Sequence, residues 1–70
     1  MIFNLEIKVE VSKDCLNKLL SALGSMGKLP EYAYDISVNA RTLFGLTTGY
    51  EIVVKTKSTY VIQTVINNIE

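Results

Sequence analysis

Phe3, Leu5, Ile7, Val9 and Val11 are apolar, and Asn4, Glu6, Lys8 and Glu10 between them are polar. A strict period of two over nine residues suits a half-buried strand, with one face on a core and the other in water. A chain that opens this way must find a partner for that face. Leu16, Leu19, Leu20, Leu23 and Met26 follow at helical spacing and offer one. Ser12 stands where an N-cap hydroxyl would accept from a backbone N–H one turn later, and Asp14 complements the dipole of the first turn. Gly24 or Gly27 can close the helix, and Pro30 stops it from continuing.

Alternation resumes from Tyr32. Tyr32, Tyr34, Ile36 and Val38 share one face, and Ala33, Asp35, Ser37 and Asn39 the other. The pattern fits one strand or two short strands bent near Tyr34-Asp35. Arg41 to Thr48 is expected to form a single short helix, capped by Asn39 or Thr42 and stopped by Gly45 or Gly49. Tyr50 to Thr56 is rich in β-branched residues and reads as a strand. Ser58 or Thr59 then caps a last helix carrying Val61, Ile62, Val65, Ile66 and Ile69 on one face. The expected fold is a single α+β domain over residues 1–70: a two-layer open-faced sandwich. Two main helices and one short helix would pack on one face of an antiparallel sheet.

Composition narrows the function. The 70 residues are 49% hydrophobic, enough for a core, although a chain of this size buries only about 60% of its unfolded surface. Seven basic and seven acidic side chains cancel and are interspersed, so no basic face for nucleic acid is visible. No apolar run nears the ~20 residues that span a bilayer, and the first residues do not read as a secretory leader. The lone Cys15 has no internal partner, which fits the cytoplasm. In the first turn of a helix it could be a reactive thiol, but a small core residue is the simpler reading. With no histidine and scattered acids, no metal site, cofactor box or nucleophile–base pair is visible, and the chain is not expected to be an enzyme.

Val38-Asn39-Ala40-Arg41-Thr42-Leu43-Phe44-Gly45-Leu46 resembles the regulatory segment of the HPr family, the histidine-containing phosphocarriers of the bacterial phosphotransferase system. That family typically shows Val-Asn-(Ala/Leu)-Lys-Ser-(Ile/Leu)-Met-Gly-(Val/Leu) there. The expected order of elements is also similar. The resemblance places Thr42 at the family's regulatory serine, and makes Arg41, Leu43, Phe44 and Leu46 candidates for partner binding. It places Ser12 where the phosphoryl-accepting histidine belongs, Asp14 in place of an arginine and Cys15 in place of a proline. Imidazole forms a readily transferred phosphoramidate, whereas a serine phosphate is a stable ester. Asp14 would moreover repel an incoming phosphoryl group.

The resemblance therefore implies a histidine-less, HPr-like regulatory or protein-binding protein that is not a competent phosphocarrier. Its partner would be a serine kinase or a transcriptional regulator. Each candidate has a plainer reading: a capping hydroxyl for Ser12 and Thr42, a solvated charge for Arg41, a small core for Leu43 and Phe44. The alternative function is a small structural or oligomerising module, with the first strand pairing edge to edge in a homodimer.

Overall fold

The computed structural model describes residues 3–26 and 28–69. Strand β1 (Leu5–Val11) is followed by helix α1 (Lys13–Met26), a 3₁₀ turn at Pro30–Tyr32, strand β2 (Tyr34–Leu43), strand β3 (Leu46–Thr56) and helix α2 (Thr59–Asn67). The strands form an antiparallel sheet in the order β1-β3-β2, making this a small α+β fold.

The period-two segments give the sheet two unlike faces. The register aligns Ile7, Val54 and Ile36 across the three strands, then Val9, Ile52 and Val38, then Val11, Tyr50 and Ala40. On this face Val11, Ile52 and Val54 join Leu16, Leu19 and Leu23 of α1 and Val61 and Val65 of α2 in one buried cluster. The opposite face aligns Lys8, Val53 and Ser37, then Glu10, Glu51 and Asn39. Strand β1 and helix α1 thus match the periodicity expected of them, but not every member of each stripe is buried. Leu20 and Ile66 stand exposed at the edges of their helices.

Local chemistry sets the helix starts. The Ser12 hydroxyl accepts from the Cys15 N–H at 3.3 Å, and the Ser58 hydroxyl accepts from the Val61 N–H at 3.4 Å. Gly24 lies within α1 and does not end it, while Gly27 lies outside the described residues. Pro30 sits in the first turn of the 3₁₀ segment, where its missing N–H costs nothing. Tyr32 belongs to that turn, and its ring lies 5.2 Å from the ring of Tyr60. The alternating run therefore yields one strand, beginning at Tyr34.

Thr56 is the polar residue of the core and is fully buried. Its hydroxyl donates to the Ala33 carbonyl at 2.8 Å and accepts from the Ser58 N–H at 3.1 Å. One side chain thereby ties the end of β3 to the approach to β2 and to the cap of α2. Because both hydrogen bonds are made, burial leaves no unmet polar group there.

The short helix expected over Arg41–Thr48 does not form. Arg41, Thr42 and Leu43 complete β2, Phe44 and Gly45 make a two-residue turn, and Leu46 starts β3. Phe44 has φ 52° and Gly45 φ 79°, the paired positive values of a type I′ hairpin turn, whose twist matches that of the strands. An eight-residue helix interrupted by glycine would have been marginal. As a hairpin, Thr42, Thr47 and Thr48 occupy the extended conformation that β-branched residues favour. Asn39 and Thr42 are consequently strand residues, not caps, and Gly45 is a turn residue, not a helix stop.

Candidate functional site

The hairpin outruns the sheet. Strand β1 stops at Val11 opposite Tyr50, so among the described residues Leu46–Gly49 of β3 and the facing end of β2 have no third strand beside them. They form a two-stranded arm. The register shifts between Arg41 and Thr42: Arg41 faces Gly49 and Thr42 faces Thr47, leaving Thr48 as the extra residue of a bulge. The Thr48 hydroxyl donates to the Arg41 carbonyl at 3.2 Å. At the arm's base, a Cβ on Gly49 would lie 3.2 Å from the Val11 carbonyl oxygen. A side chain there would press on the end of β1.

The tip is apolar and uncovered. Leu43 is 58% exposed, Phe44 94% and Leu46 72%. The three are brought together by the turn: Leu43 and Leu46 face each other across the strands and Phe44 lies between them. Phe44 also holds a left-handed backbone conformation that its Cβ disfavours by about 1–2 kcal/mol. An exposed ring recovers little of that cost through burial.

Arg41 lies below the tip and is not simply solvated. Its Nη1 bonds the Glu10 carboxylate and lies 3.6 Å from Glu51, which is also 3.7 Å from Lys8 Nζ. Lys55 and Glu6 pair at 3.9 Å further along the same face. This ladder of cross-strand ion pairs covers the open face of the sheet. Each exposed pair is worth at most about 1 kcal/mol, so its main effect is to hold Arg41 across β3 toward β1.

Ser12 shares a hollow with Arg41, away from the tip. A depression of about 280 Å³ is lined by Glu10, Val11, Ser12, Arg41, Thr48, Gly49 and Tyr50. A neighbouring one of about 330 Å³ is lined by Ser12, Lys13, Thr47, Thr48, Gly49 and Tyr50. Thr42 borders neither; it lies on the exposed arm, with Thr47 as its partner across the strands. A phosphate at Thr42 would therefore stand on a strand, not beside a helix N-terminus. Cys15 is partly buried against the core, and its thiol donates to the Asn68 carbonyl at 3.1 Å.

Among the described residues no group of three or more His, Cys, Asp or Glu gathers as a cation site, and no helix is long and apolar enough to cross a membrane. No protein-family model, no curated protein and no solved structure matches this chain. The sequence pattern marks Gly49 as an alternative helix stop and Thr56 as the end of a strand, and misses the role each plays in the fold. The Gly49 contact with Val11 and the Thr56 bond to Ala33 arise only where the fold brings distant segments together, whereas the Thr56 bond from Ser58 is a local turn.

Proposed function

We propose that this chain is a protein-binding module, neither an enzyme nor a phosphocarrier, that meets its partner with the tip of the hairpin arm. The observation that carries the reading is Phe44: an aromatic side chain 94% exposed, at a turn position whose backbone disfavours it. Asparagine or glycine would make this turn at lower cost. A strained, exposed aromatic between two exposed leucines stabilises nothing in the isolated chain and suits a contact centre for another protein. On this reading the fold is a two-layer open-faced sandwich, the histidine-less HPr-like scaffold that the segment Val38–Leu46 resembles, acting in the cytoplasm without a cofactor. Its partner is the serine kinase or transcriptional regulator of such a system, and Thr42, directly beside Leu43, is where phosphate would alter docking.

The test uses the serine kinase of the phosphotransferase system from the same cell. Wild type, Thr42→Ala and Phe44→Ser are titrated against the kinase by calorimetry, then treated with ATP and analysed by mass spectrometry. The expected results are phosphate on wild type but not on Thr42→Ala, and binding weakened roughly thirtyfold by Phe44→Ser, the size of a contact hot spot. If wild type neither binds nor is labelled, the kinase is not the partner. The same titration with the system's transcriptional regulator then decides whether the tip binds at all.

A further inference from the structure

We infer that the free edge of β2 is an interface between two copies of this chain, pairing antiparallel about a two-fold axis at Val38 to form one six-stranded sheet. The two edges of the sheet differ in ways that favour β2. Along β1, every charged side chain is held within the chain: Glu6 by Lys55, Lys8 by Glu51 and Glu10 by Arg41. The apolar face of β1 packs against the core through Ile7, Val9 and Val11. Along β2, Asp35 takes part in none of the ion pairs among the described residues. Val38, on the helix-bearing face of the same strand, is left 41% exposed. At ten residues β2 is also longer than the seven of β1, and it contains no proline or lysine to block strand addition.

The sequence of β2 is complementary to itself in one register. An axis through Val38 places Val38 opposite Val38 of the second copy and Ile36 opposite its Ala40, extending the apolar face. The same register sets Asp35 opposite Arg41 of the second copy, and by symmetry Arg41 opposite its Asp35. A two-fold interface repeats every contact in this way. Moving the axis to Ser37 or Asn39 breaks both charge pairs. Arg41 reaches Glu10 and Glu51 across β3, away from the free edge, so in the dimer it would exchange those contacts for Asp35 of the second copy. The edge backbone groups of β2, which now face water, would pair with those of the copy.

Sedimentation equilibrium over a wide concentration range tests the proposal, with three charge variants and one cross-link. Wild type is expected to dimerise. Asp35→Arg and Arg41→Asp alone should each weaken the dimer about tenfold or more, since two opposite-charge pairs become two like-charge pairs. The double variant Asp35→Arg/Arg41→Asp should restore it. Val38→Cys, placed in a Cys15→Ser background, should form an intermolecular disulfide on mild oxidation, because facing residues of an antiparallel pair lie within disulfide reach. A wild type that stays monomeric at all concentrations overturns the proposal. So does a dimer that ignores the charge reversals and fails to cross-link through position 38, since it must use another surface. The measurement involves no partner protein, so its outcome is separate from that of the kinase titration.

Discussion

Between Tyr50 and Thr56, β3 runs with β1 on one side and β2 on the other, and Ile52, Val54 and Thr56 are fully buried. Between Leu46 and Gly49 the same strand has β2 alone, and its leucine lies open to water. The composition of the two stretches does not explain the contrast, since both carry β-branched and apolar residues. What differs is the cover. In the body the helices lie over the sheet and β1 lies beside β3, whereas the arm extends past the end of β1. Burial therefore makes the body the source of stability, and its absence makes the arm the part available to a partner.

Breaking the body should have the largest effect. Leu19→Ala removes a fully buried side chain and is expected to cost about 2–5 kcal/mol in urea unfolding, a large share of the stability of so small a domain. Thr56→Val keeps the shape but strands the Ala33 carbonyl and the Ser58 N–H. It should cost about 1–3 kcal/mol, with earlier hydrogen exchange at the start of α2. Phe44→Asn sharpens the comparison, because it should move stability and binding in opposite directions. Relieving the left-handed aromatic should raise stability by about 1 kcal/mol in thermal unfolding, while partner binding is lost. The smallest effect belongs to Leu46→Ser at the tip, which should change stability by less than about 0.5 kcal/mol. If Leu46→Ser instead cost as much as Leu19→Ala, the division between body and arm would be wrong.

The body was largely legible in advance. The alternation through Leu5–Val11, the stripe carrying Leu16, Leu19 and Leu23, and the caps Ser12 and Ser58 all appear in the structure as read. The arm was not legible. Leu43, Phe44 and Leu46, the candidate partner-binding residues, lie at the surface on a hairpin and not on a helix. In the sequence Arg41 is open to a rim charge or salt bridge, with a solvated residue the plainer reading, and it makes a salt bridge because β1 and β3 bring Glu10 and Glu51 beside it.

The physical reason is the range of the interactions involved. Periodicity and caps are local as signals: each pattern is complete within one strand or one turn, so the sequence alone points to β1, α1 and α2, although burial in the shared core supplies their stability. The path from Asn39 to Gly49 has no such local majority. Its threonines favour extension, its leucines tolerate a helix, and Gly45 serves as a helix stop or as a turn residue. Pairing with the far end of β3 settles the choice, and that pairing exists only once the strands are brought together. The same holds for the buried hydroxyl of Thr56, whose partners on Ala33 and Ser58 come from the two ends of the hairpin, and for the free edge of β2, which is an edge only because β3 lies between it and β1.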